Sequence, residues 1–197
     1  MSSHSNLPFW NYFRLLERDL DACFQYVAPT AEHYAVYSDR FSQVILLACS
    51  EIENALGAFA HAARCEPFPR GIGAFQGCVL GRFPAFCSMK VELPRFSLTI
   101  EPWKGWTADA PPDWWTSGYN KIKHDRLGHP GAPSLHRAIS SVGGLLVVLL
   151  HYYTLMHGEQ CMMPSDLAPT VFVPVDEHSF GGESGVFWSW RLPKRDA

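Results

Sequence analysis

Residues 135–157, LHRAISSVGGLLVVLLHYYTLMH, decide the fold. Ile139, Val142, Leu145, Leu146, Val148, Leu149, Tyr152 and Tyr153 set apolar side chains almost all round a helix. A helix without a polar face belongs in the middle of a bundle. Ser134 stands where its N-cap is needed, after a loop holding Gly128, Pro130, Gly131 and Pro133. Gly143 and Gly144 each cost helix propensity on the order of 1 kcal/mol, so they predict close approach of a neighbouring helix. The most apolar run, Val142 to Leu150, falls far short of the roughly 20 residues that cross a bilayer. A buried core helix is expected, and no membrane partner.

Two helices precede it. In Phe9 to Val27, the residues Phe9, Phe13, Leu16, Leu20, Cys23 or Phe24, and Val27 recur at three- and four-residue steps and form one apolar face. Arg14, Glu17, Arg18, Asp19 and Asp21 occupy the other side. Pro29-Thr30 ends that helix, and Thr30, with Glu32 and His33, starts the next. Its stripe of Phe41, Val44, Ile45, Ala48, Ile52, Ala55, Leu56 and Phe59 runs to about Ala63. Glu51 lies at the stripe's edge, either as a solvated flank residue or projecting into a crevice beside a neighbouring helix.

Residues 66–112 are punctuated by Pro and Gly, which predicts no long helix. Lys90–Leu93 and Phe96–Ile100 alternate as two short half-buried strands with Pro94 at the turn. Helix returns at Asp113, an N-cap after two prolines, and runs through Lys123 or His124. In the C-terminal arm, residues 159–197, Val171–Val175 and Val186–Trp190 read as strands separated by a Gly181-Gly182 turn, able to pair with the hairpin of the insert. The expected fold is mainly α: an antiparallel helical bundle, residues 9–64 and 113–157, within one domain spanning 1–197. It carries a small β-hairpin insert and an irregular C-terminal arm.

Composition narrows the function classes. Aromatic residues make up 14% and charged residues 18%, against roughly 25% charged in an average globular chain, which excludes disorder and coiled coil. A net charge of −3 argues against a generic nucleic-acid coat or a basic membrane binder. Met1 to Pro8 is polar and lacks the apolar region of a secretory signal. The six cysteines, Cys23, Cys49, Cys65, Cys78, Cys87 and Cys161, form no CxxC pair; reduced, buried thiols in a cytoplasmic protein are expected, not structural zinc. Gly71–Gly77 misses the dinucleotide spacing by one residue, and no GxSxG or Walker lysine occurs. His129 and His136 have no carboxylate pattern around them that would make a metal site. Neither cofactor nor metal is expected.

One stretch concentrates chemistry: Trp114-Trp115-Thr116-Ser117-Gly118-Tyr119-Asn120-Lys121-Ile122-Lys123-His124-Asp125-Arg126. Asn120 and His124 are four apart and share a helix face. Arg126 follows near the helix end, where a cation complements the macrodipole. Lys121, Lys123 and Arg126 disfavour imidazolium, so His124 is expected to be neutral and able to accept a proton near pH 7. Lys121, Lys123, Arg126 and Arg137 face Asp125 alone as countercharge in this part of a net-acidic chain. Local positive charge beside Trp114 and Trp115 suits phosphate contact and base stacking. The bland alternative is core and cap, with the aromatics buried and His124 bonded to a carbonyl.

A helix pair, then Asn120-Lys121-Ile122-Lys123-His124 opening a second pair with a long apolar helix, resembles the HEPN superfamily. The likeness covers about 9–64 and 113–157. It implies a helical bundle that dimerises through its motif faces, and metal-independent endoribonuclease activity in prokaryotic defence or toxin–antitoxin systems, with RNA as substrate and an antitoxin as partner. It implies His124 acting on a ribose 2′-OH, Asn120 in the polar motif position, and Arg126 or Lys121 stabilising the transition state. Trp114, Trp115, Tyr119, Lys123 and Glu51 would contact the substrate. Where the superfamily carries Arg, this chain has Tyr119. The other expectation is therefore a non-catalytic module that binds a protein or a nucleotide.

Overall fold

A computed structural model describes residues 7–158, 161–175, 178–180 and 187–192. Two serine caps organise it. Ser38 Oγ accepts the N–H of Phe41 (3.2 Å) at the start of α2, Asp39–Ala63, and Ser134 Oγ accepts that of Arg137 (3.4 Å) at the start of α5, Leu135–His157. The two starts are stitched together. Ser38 N–H donates to the Pro133 carbonyl (3.3 Å) and Leu135 N–H to that of Val36 (2.8 Å). Near their far ends, Phe59 of α2 and His151 of α5 both pack on Phe83. The most extensive helix pairing therefore joins two helices that run the same way.

The chain is mainly helical with small antiparallel sheets. α1, Pro8–Phe24, packs on α2 and α5. Between α1 and α2, Thr30 provides no side-chain cap and only a 3-10 turn, Ala31–His33, forms; α2 begins instead at Ser38. α5 buries Leu135 and Ala138 through Leu150, as its all-round apolarity predicts. By length and composition alone both α2 and α5 could cross a bilayer, so Val142–Leu150 understates α5. Yet 83% of the most apolar window of α5 is buried inside the protein, and 50% of that of α2. The apolar surface of α5 is spent on the core.

Gly143 and Gly144 do admit close neighbours: Ile100 of the insert at Gly143, and Trp114, where helix resumes after the insert, at Gly144. A Cβ on Gly143 would stand 2.7 Å from Ile100 Cδ1, and one on Gly144 3.1 Å from Trp114 Cζ2. Trp103 uses this opening to donate its indole N–H to the Gly144 carbonyl (3.0 Å).

The insert contains a helix that its punctuation hid. α3, Ile72–Arg82, buries Ile72, Phe75 and Val79 along one face, while prolines stand before and after it. Cys65, just past α2, is disulfide-bonded to Cys78 of α3 with Cα atoms 5.8 Å apart. The expectation of six reduced thiols is corrected here. Cys23, Cys49, Cys87 and Cys161 are free, and burial raises all four thiols above their ordinary value.

The hairpin forms as expected. β1, Val91–Leu93, pairs antiparallel with β2, Leu98–Ile100, in the register Val91↔Ile100. From the C-terminal arm come β3 (Cys161–Pro164), β4 (Val173–Pro174), β5 (His178–Phe180) and β6 (Phe187–Trp190). β4 joins the hairpin beside β1, whereas β6 pairs with β3 and β5 in a second sheet. The Gly181-Gly182 turn lies outside the described residues. The arm is part of the core: Trp190 stacks on Trp10 (6.0 Å, 5°) and donates its indole N–H to Thr154 Oγ1 (3.1 Å).

Glu17 of α1, expected on the polar side, is fully buried. Its carboxylate accepts the consecutive backbone N–H groups of Thr170, Val171 and Phe172 (2.8–3.2 Å) and the Thr170 hydroxyl (3.0 Å). A buried charge is tolerated when donors surround it in this way.

Candidate functional site

The motif stretch is not one regular helix. Trp114–Asn120 is a π-helix, and α4, Lys121–Asp125, continues from it. Bonding to the fifth residue widens the turn, a feature found mostly as single turns and frequently at functional sites. Trp114, Trp115, Gly118, Tyr119 and Ile122 are buried, at spacings near four and five residues. Asp113 is not a side-chain N-cap. Its carboxylate receives Arg137 Nε (2.8 Å), and the Arg137 side chain reaches it across Gly118, 3.2 Å from where a Cβ would be. Partial burial opposes ionisation of Asp113, but hydrogen bonds from Arg137 and Ser117 outweigh it and hold the carboxyl below its ordinary value.

The predicted site residues separate into three groups. Trp114 and Trp115 face inward, each 4% exposed. Trp114 donates its indole N–H to the Pro102 carbonyl (2.7 Å) and meets Trp103 edge-on. Neither Trp can stack on a base, because on this turn they point away from the cations that neighbour them in sequence.

Tyr119 is buried too, with its hydroxyl at the surface end of a chain of contacts. It donates to Glu53 Oε2 (3.2 Å) and accepts from Lys123 Nζ (3.2 Å), whose ammonium also lies 5.0 Å from the ring centre. Burial raises the Tyr119 phenol above its ordinary value and keeps the proton it donates. The carboxylate that α2 brings here is Glu53, which sequence reading did not single out. Glu51 points elsewhere, half-buried, accepts Asn54 Nδ2 (3.3 Å), and is raised by burial. Two residues on a helix differ by about 200°, so the acidic residue facing α4 had to be chosen by packing.

Asn120, Lys121, His124 and Arg126 form the third group. Asn120 is half-buried; Lys121, His124 and Arg126 are exposed. Arg126 Nη1 donates to Asp39 Oδ1 (2.7 Å), in a pair too exposed to be worth more than about 1 kcal/mol. Asp125 accepts the N–H of Gly128 (3.0 Å) and closes the helix end. His124 has no hydrogen bond or ion pair among the described residues. Arg126, Leu127, Tyr37, Ser38 and Asp39 line a cavity of about 310 Å³, of which His124 is not a lining residue. Among the described residues no three His, Cys, Asp or Glu side chains gather as a metal centre.

Comparison with family models, with curated proteins and with solved structures found no match.

Proposed function

We propose that this is a HEPN-like, RNA-directed protein whose α4 surface contacts a phosphodiester, with His124 as the group that moves the proton. The observation that carries the reading is the state of His124. It stands exposed, with no side-chain partner among the described residues, while Lys123, Asp125 and Arg126 around it are engaged by Tyr119, Gly128 and Asp39. An exposed histidine one turn after Asn120 suits general acid–base chemistry. In this reading His124 takes the proton of a ribose 2′-OH. The 2′-oxygen attacks phosphorus, the bond to the 5′-oxygen breaks, and the imidazolium returns the proton to that oxygen. Arg126, released from its weak pair with Asp39, meets the charge on the phosphorane, with Lys121 alongside. The reading also has the chain act as a homodimer with its α4 faces together, held by an antitoxin partner in a prokaryotic defence system.

One observation favours the second reading, a non-catalytic binding module. Tyr119 fills the position of the superfamily's Arg, and its hydroxyl is committed to Glu53 and Lys123. The test is RNA binding and cleavage side by side, with wild-type protein, His124→Ala and Lys121→Ala. Cleavage lost in His124→Ala with binding retained supports the enzyme. Binding without cleavage in the wild type supports the module.

A further inference from the structure

The other end of α2 carries a second, unrelated constellation. α2 spans 25 residues, which at about 1.5 Å per residue separates its ends by about 37 Å. It terminates on Arg64 in the left-handed conformation (φ 55°, ψ 48°), its N–H bonded to the Ala60 and His61 carbonyls. Glycine usually stands at such a position, because a Cβ is strained there. What arginine adds is an exposed cation at a residue that lines a cleft.

Two adjoining depressions, of about 750 and 530 Å³, share Arg64 and the segment Cys65–Phe68. The larger is lined by Arg64, Arg70 and Arg82 against Glu66 alone. Arg82 is pinned to the wall by donating to the Ala63 carbonyl (2.9 Å). Apart from Arg82, the α3 wall carries only small residues, Ala74, Gly77, Cys78 and Gly81. Gly77 and Gly81 of α3 face the cleft, and a Cβ at either would meet nothing within 4 Å. Packing therefore does not require these glycines, though each lowers helix stability. Phe68, 45% exposed, lies against the His61 ring (4.5 Å between centres), and both line the smaller depression. The Cys65–Cys78 disulfide ties the two walls together.

Excess positive charge, an exposed aromatic platform and a smooth backbone wall match one chemistry: an anionic group joined to a flat ring. We propose that this cleft binds a nucleotide, with Arg64 and Arg70 on its phosphate and the Phe68–His61 pair under its base. The nucleotide comes either free or as one residue of an RNA chain. The proposal is independent of cleavage at α4, because it is read on Arg64 and Arg70 and not on His124.

Calorimetric titration of the full chain with adenosine 5′-monophosphate, inorganic phosphate and a single-stranded oligonucleotide tests it. Arg64→Gly keeps the backbone conformation and removes the charge; Arg70→Ala and Phe68→Ala remove the second cation and the platform. Binding of the monophosphate that weakens about tenfold in each arginine variant, and weakens also in Phe68→Ala, supports a free nucleotide. The same sensitivities with the oligonucleotide alone support an RNA nucleotide in the same cleft. No binding of either, binding indifferent to Arg64 and Arg70, or binding of phosphate equal to that of the monophosphate overturns the proposal.

Discussion

Tyr119 donates its phenolic hydrogen to Glu53 Oε2 across 3.2 Å, joining the π-helix to the middle of α2. The bond makes Tyr119 a strut: its ring is buried against Trp115 (4.8 Å) and only the hydroxyl reaches the surface. Tyr119→Phe keeps the ring and loses the bond. It is expected to cost about 1 kcal/mol in urea unfolding, and a double-mutant cycle with Glu53→Gln to show the two losses are coupled.

Glu17 holds the loop 170–172 to α1 through four donors while buried from water. Glu17→Ala strands three backbone N–H groups and is expected to cost about 3 kcal/mol or more, seen as a lower urea midpoint with unchanged slope. Replacing the neighbouring Arg18 by Ala is expected to change the midpoint little.

Gly143→Ala and Gly144→Ala are predicted to differ in effect. Both gain helix propensity of about 1 kcal/mol. At Gly143 the obstacle is the end of the Ile100 side chain, which can turn aside. At Gly144 it is Trp114, fixed by its bond to Pro102 and by Trp103 and Trp115. Thermal unfolding should therefore show a small change for the first and a loss of about 1–3 kcal/mol for the second.

His151 gives the fold a pH dependence. It is buried on α5 with Nδ1 on the Val147 carbonyl (2.7 Å), and burial lowers its pKa from 6.5 to about 4, against that bond. The folded state thus favours the neutral ring. Its contribution is complete above pH 6.5 and is lost as pH falls from 6.5 towards 4, on the order of 3 kcal/mol in all. Urea midpoints across that range should fall with acid in the wild type and fall less in His151→Phe.

The parts of the fold legible in sequence were those with a dense helical period. α5 and the stripe of α2 needed only their own residues. α3 was hidden because Gly73, Gly77 and Gly81 read as breakers, although Pro69 and Pro84 flank the helix and Ile72, Phe75 and Val79 make its buried row. Glu17 looked solvated because its partners lie more than 150 residues away. The Cys65–Cys78 bridge has no motif spacing and needs the fold to bring the two together. At the candidate site, Asn120 is half-buried, and Lys121, His124 and Arg126 lie on the exposed side. Trp114 and Trp115 do not, because nearness to cations in sequence says nothing about which side of a π-helix a ring occupies.

The central claim, that His124 moves the proton of a ribose 2′-OH, is tested most directly by incubating single-stranded RNA with the purified chain in EDTA and identifying the new ends. The account predicts 2′,3′-cyclic phosphate and 5′-hydroxyl termini, no cut at a 2′-deoxy nucleotide, and cleavage at least about a hundredfold slower in His124→Ala. Intact RNA with the wild type, or equal cleavage by His124→Ala, would contradict it.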